Sequence, residues 1–251
     1  MTYFFDALGR QLNAPKRQRQ RQRHARAKAF QCVCGQQIFF GNTECLNCHR
    51  PLGFDPRRGH VLALDPGKTE GVWAEAGRVR GRAFKRCGNF ATPALCNWLL
   101  PATSAESLCL ACSLNRTIPD LSIPENGPLW FKVEAAKRQL IAQLMTLGLP
   151  IRRSQEPGDG GLAFDLLAPG ADGAPLLTGH NQGLITINIL EADAYRVQVR
   201  ESMHEPYRTL LGHFRHEIGH FYWDQLVAGG DWLEPVSYTH LRAHETLHYL
   251  V

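Results

Sequence analysis

No apolar run in this 251-residue chain approaches 18 residues, which excludes a transmembrane helix. The N-terminus, Met1-Thr2-Tyr3-Phe4-Phe5-Asp6, lacks a basic segment followed by a long apolar core, so it does not read as a secretory signal. The expectation is a cytoplasmic protein without a membrane partner. Thiols stay reduced in that compartment, so the eight cysteines read as metal ligands rather than disulfides.

Acidic residues are missing from positions 16–28, where Lys16, Arg17, Arg19, Arg21, Arg23, Arg26 and Lys28 stand together. These seven charges exceed the net charge of +5, so the remainder of the chain is slightly acidic. Aromatic residues are missing from the same stretch, which removes the platforms on which bases would stack. Residues 1–29 therefore read as a basic, low-complexity, disordered tail. It is a solvated arm, or sequence upstream of the true start, with electrostatic contact to nucleic acid as the alternative.

Cysteine is plentiful, and it is clustered. Cys32-Val33-Cys34-Gly35 and Cys45-Leu46-Asn47-Cys48 pair at the spacing of a zinc ribbon, in which four thiolates close a tetrahedral structural site. Ile38-Phe39-Phe40 reads as a short strand between the pairs, with Gly41-Asn42 as its turn. Cys87, Cys96, Cys109 and Cys112 suggest a second four-thiolate site. Because Cys87 and Cys96 are widely spaced, one of them could instead be a buried small residue, with His60 completing the site. Between the clusters, Phe54 to Ala83 suits small strands wrapped on metal rather than a large core.

The C-terminal half changes character. Residues 129–147 predict an amphipathic helix, with Leu129, Phe131, Val133, Leu140, Leu144 and Leu147 set against Lys132, Glu134, Lys137, Arg138 and Gln143. Gly148 and Pro150 end it. Ala163–Leu167 and Leu184–Leu190 predict strands, and Glu191-Ala192-Asp193-Ala194 opens a helix. A further helix starting near Glu205-Pro206 carries His216-Glu217-Ile218-Gly219-His220. On a helix, positions i and i+4 share a face, so His216 and His220 can each give a nitrogen to one zinc ion. Glu217 between them is placed to polarise a zinc-bound water and act as general base. Leu210, Leu211, Phe214, Ile218, Phe221, Tyr222 and Leu226 supply an apolar face at spacings of three and four.

The order of strand, helix and HExxH helix resembles the zincin architecture, in which an edge strand borders the cleft. In detail, the chain resembles bacterial zinc-binding metallopeptidases that carry an N-terminal zinc-ribbon region. The resemblance covers about residues 30 to 235. It rests on Cys32-x-Cys34-Gly35, Cys87-Gly88-Asn89, Cys96-Asn97-Trp98-Leu99, Cys109-x-x-Cys112 and Thr117-Ile118-Pro119-Asp120-Leu121. It continues through Thr178-Gly179-His180, Ile185-Thr186-Ile187-Asn188, Glu191-Ala192-Asp193, Glu205 to His213, and His216 to Asp224. It implies an α+β chain of small cysteine-rich zinc-ribbon modules at 30–122, followed by a zincin-like metallopeptidase domain at 123–235, incomplete at its C-terminus. One catalytic and about two structural zinc ions follow, with a peptide or protein as substrate. A zinc-ribbon module binding nucleic acid or protein, with a vestigial HExxH, is the rival reading.

A hydrolytic zinc site needs three protein ligands, and the sequence offers two. Asp224 lies eight residues from His216, about 12 Å along a helix, too far to share the ion. His213 reads as a polar neighbour, and His180 as a loop residue able to line the cleft. In the full-length family the third ligand is expected from a downstream helix. Residues 236–251 resemble the translation of a sequencing-library adapter, with a short native C-terminal helix as the alternative. On the adapter reading the second HExxH, His244-Glu245-Thr246-Leu247-His248, is a decoy.

Overall fold

The computed structural model describes residues 29–78, 81–156, 158–170, 176, 178–193 and 209–228. The basic tail up to residue 28, the helix start at Glu205-Pro206 and the stretch 236–251 lie outside the described residues.

The first cysteine cluster sits on a small hairpin of β1 (Phe30–Gln31) and β2 (Gln37–Ile38). The expected strand at Ile38–Phe40 is shorter and starts one residue earlier, because the chain turns after Ile38. An antiparallel sheet follows in sequence order: β3 (Leu52–Asp55), β4 (His60–Pro66), β5 (Val72–Glu75), β6 (Ala83–Arg86) and β7 (Leu99–Pro101). The stretch expected to wrap on metal thus forms a sheet with an apolar cluster of its own. Strand periodicity divides β4 between two cores. Leu62 and Leu64 pack with Phe84 and Leu99, while Val61 and Ala63 join the main core. Gly53 permits this packing, since a Cβ there would lie 2.5 Å from a methyl carbon of Leu99.

Beyond it, α1 (Leu110–Ser113) leads into β8 (Asn115–Thr117), then α2 (Asn126–Leu147). Gly148 closes α2 in the left-handed conformation at φ 71°, its N–H returning to the Leu144 and Met145 carbonyls. A second sheet combines β8 with β9 (Ala163–Leu167), β10 (Gly179–Asn181) and β11 (Leu184–Asn188) in the order β10-β11-β9-β8. Strand β9 runs parallel to both neighbours, and β10 is the antiparallel edge. β11 stops at Asn188, two residues early. The Asn188 side chain accepts the Leu190 N–H at 3.0 Å and turns the chain into a 3-10 helix, Ile189–Ala192.

The polar face expected on α2 is not a solvent face. Glu134 and Lys137 are fully buried and Arg138 nearly so, whereas Phe131 and Leu147 are exposed. α2 packs against α1 on one side and against α3 (Leu210–Leu226) on another, so amphipathic spacing does not report its surroundings. α3 opens at Thr209, whose hydroxyl accepts the Gly212 N–H at 3.0 Å. Phe214, Ile218, Phe221 and Tyr222 form its buried side, with the Phe214 and Phe164 rings edge to face at 5.8 Å. The Tyr222 hydroxyl donates to the Pro150 carbonyl at 2.9 Å. Among the described residues, no helix is long and apolar enough to cross a membrane.

Candidate zinc sites and the HExxH face

The structure gathers the eight cysteines into two sets of four, Cys32, Cys34, Cys45 and Cys48, then Cys87, Cys96, Cys109 and Cys112. Within each set the sulfur atoms lie within 4.8 Å of one another. All eight are free thiols. The Cys32–Cys48 and Cys34–Cys45 sulfurs are 3.6 Å apart and the Cys96–Cys109 sulfurs 3.7 Å. A tetrahedron of sulfurs about 2.3 Å from a zinc ion has edges of about 3.8 Å, so both sets fit that ion. His60 belongs to neither set and packs edge-on against Phe30 at 4.9 Å.

The two sets differ in surroundings. Cys34 is exposed, and the Asn47 amide donating to its sulfur is the main reason its thiol falls to about 6. The second set is buried throughout. Beside it, the Cys112 sulfur lies 4.0 Å from the Glu134 carboxylate. Lys137 donates to that carboxylate at 2.7 Å and also to Asn115, while Asn115 itself donates to Glu134 at 2.7 Å. Arg138 approaches Glu134 to 3.9 Å. Zinc with four thiolates would carry a charge of −2, which the net charge of +1 on Glu134, Lys137 and Arg138 would partly offset inside the protein. Sequence reasoning assigned these three charges to water.

On α3, the motif residues stand as helical geometry requires. At 100° per residue, His213, His216, Glu217, His220 and Asp224 fall within an arc of about 100°, adjacent to the buried arc. The Nε2 atoms of His216 and His220 are 3.2 Å apart, with their rings perpendicular at 89°. Two nitrogens about 2.0–2.1 Å from one zinc at a tetrahedral angle are about 3.3 Å apart, so the pair fits. Glu217 is half-buried between them, while both imidazoles are exposed. Among the described residues no third His, Cys, Asp or Glu atom joins them in a group able to hold one ion.

Two flanking features were not readable as such. His180 lies within the edge strand β10 rather than in a loop. Its ring is parallel to that of His220, 6.4 Å away and 11° inclined, and edge-on to Phe221 at 6.2 Å. Burial lowers its proton affinity and His220 adds to this, while Asp224 and Glu217 oppose it. At the first turn of α3, the Thr178 hydroxyl donates to Glu191, and His213 Nδ1 pairs with the same carboxylate. This chain ties the approach to β10 to the first turn of α3. The only hint in sequence was polar residues between apolar runs.

The β10–β11 turn depends on Gly183, at φ 90°. A Cβ there would fall 2.0 Å from the Gly161 carbonyl oxygen. Gly183→Ala is expected to cost more than the roughly 1–3 kcal/mol of a strained backbone alone. Urea unfolding would show it as a lowered midpoint at unchanged slope, and an unchanged midpoint would contradict the close approach.

Two family models match the chain in succession. A zinc-ribbon domain family matches residues 29–123. The family described as "Putative zinc-binding metallo-peptidase" matches residues 126–250, a span that includes most of 236–251. Uncharacterised proteins of Mycobacterium bovis and Mycobacterium tuberculosis are 41% identical over 202 residues, 79% of this chain and 54% of theirs. The chain thus spans about half the length of the curated relatives it matches. No solved structure matches it. The chain is thus a zinc-ribbon domain over residues 29–123 followed by a domain of the zinc-binding metallo-peptidase family over residues 126–250.

Proposed function

We propose that the chain hydrolyses peptide bonds in a zinc-dependent reaction with Glu217 as general base. The observation that carries this reading is the 3.2 Å approach of the His216 and His220 Nε2 atoms, with Glu217 on the same face of α3. His216 and His220 would hold a zinc ion, which would supply Lewis acidity toward a water and a peptide carbonyl. Glu217 takes the water's proton and returns it to the leaving amine. Among the described residues β10 is an edge strand, and its backbone groups suit an extended peptide, a mode of recognition that needs no particular side chain. The third metal ligand is assigned, as the family resemblance implies, to a helix downstream of α3, and the second HExxH is given no part. Cys32, Cys34, Cys45 and Cys48, and Cys87, Cys96, Cys109 and Cys112, each hold a structural zinc. We assign the activity to the cytoplasm, since eight cysteines arranged as two ligand sets suit a reducing compartment.

Zinc stoichiometry and peptide-library cleavage test the assignment. Glu217→Gln should keep the metal and lose roughly 10²–10⁴-fold in turnover, because an amide accepts no proton from water. His216→Ala should lose both metal at this site and turnover. A Glu217→Gln protein that cleaves as fast as its parent removes Glu217 from the role of base.

A further inference from the structure

The HExxH motif leaves one polar group of the cleft without a task. The His180 Nε2 accepts the Gly183 N–H at 2.9 Å. A ring nitrogen that accepts a hydrogen bond carries no proton, so the neutral ring bears its proton on Nδ1. Among the described residues, no group accepts a hydrogen bond from that Nδ1. The ring cannot turn its Nε2 toward a metal without stranding the Gly183 amide, and an unpaired buried donor is costly. Gly183 itself has no room to move toward Gly161. The ring is thus fixed parallel to His220, with Glu217, His220 and Asp224 of α3 as its charged and titratable neighbours.

We propose that His180 contacts the substrate, its Nδ1–H donating a hydrogen bond to the oxygen of the attacked peptide carbonyl beside His220. The proposal rests on the peptidase reading. A donor held in place by a turn, and unpaired before substrate arrives, costs no rearrangement when charge develops on that oxygen. The bond strengthens as the carbonyl oxygen becomes anionic, so it favours the transition state over the bound substrate. His180 is therefore a third functional side chain of the cleft, supplied by the edge strand rather than by α3, and it is not a metal ligand.

The test uses the whole chain at saturating zinc. A phosphinic tetrapeptide, Ala-Ala-ψ[P(O)(OH)CH2]-Ala-Ala, places a tetrahedral anion where the attacked carbonyl would lie, and calorimetry reads its affinity. His180→Phe keeps a ring against His220 but removes both the Nδ1 donor and the acceptor of the Gly183 N–H, and His180→Gln returns one of each. His180→Met repeats the donor-free case should the phenyl ring disturb the turn. The expected result is unchanged zinc content in every variant. Affinity should fall roughly tenfold to a hundredfold in the Phe and Met variants, as for a lost hydrogen bond to a charged group, with most of it restored in Gln. Loss of one zinc per chain in the Phe and Met variants would make His180 a ligand and overturn the proposal. Equal affinity in the parent, Phe and Met proteins would overturn it and leave the peptidase reading standing. A zinc-loaded parent that fails to bind the phosphinic peptide would overturn the peptidase reading, and this proposal with it.

Discussion

Cys112→Ser is expected to abolish the cooperative unfolding transition of the whole described core, not merely loosen a ribbon. Cys112 is 1% exposed and belongs to the same apolar cluster as Trp130, Val133, Leu140, Phe164, Phe214 and Ile218. Zinc at such sites contributes about 10–16 kcal/mol in isolated zinc-finger peptides. A domain's net stability is only about 5–15 kcal/mol, so losing the ion removes as much as the fold has. Its loss would also leave Lys137 and Arg138 buried without the thiolate charge that balances them. Calorimetry should show no sharp transition, and emission from the buried Trp98 and Trp130 should shift toward that of exposed indole. Cys34→Ser is the contrast. That thiol is exposed, although Cys32 and Cys45 of its set join the same apolar cluster, so the variant should lose one zinc per chain and lower the midpoint of the main transition without removing it. A Cys112→Ser protein that melts as sharply as its parent would show that the second set does not carry the core.

The second large effect concerns the charges on α2. Glu134→Ala should destabilise by about 3–5 kcal/mol, the cost of leaving the partner of a buried ion pair uncompensated. The partner here is Lys137, itself fully buried, to which Asn115, the face of Phe164 and the charge of the nearby thiolate set would remain. The double variant Glu134→Leu/Lys137→Met removes both charges and should recover much of that loss, since apolar side chains of similar volume often replace such pairs without penalty. Recovery should be incomplete, because Asn115 loses its acceptor and the thiolates lose a neighbouring cation. Urea midpoints for the two proteins measure the difference. A single variant less than about 1 kcal/mol below the parent would mean that water reaches Lys137.

What the sequence conveyed follows the range of each interaction. His216, Glu217 and His220 were legible because helical spacing alone sets their geometry. The cysteine pairs were legible because zinc demands a small set of spacings, and the second set was harder because Cys87 and Cys96 meet only through the fold. The burial of Glu134, Lys137 and Arg138 was illegible for a physical reason. Helical periodicity separates polar from apolar residues only where one face meets water, and α2 is covered on more than one side. His213 and Glu191 are 22 residues apart in sequence, and no local pattern announces their pairing. His180 was read as loop because Gly179-His180-Asn181 lacks apolar alternation, which an edge strand beside a polar cleft has no cause to show.

Strand β8 lies in the stretch that matches the zinc-ribbon family, yet it pairs with β9 of the peptidase domain. The domain divide in the sequence therefore runs through a single sheet. An expression boundary drawn at residue 123 would strip an outer strand from the second domain and bare the backbone of β9 to solvent. The ribbon is then less a detachable adaptor than a part of its neighbour's sheet, and the two parts would be expected to travel together through gene fusion and rearrangement.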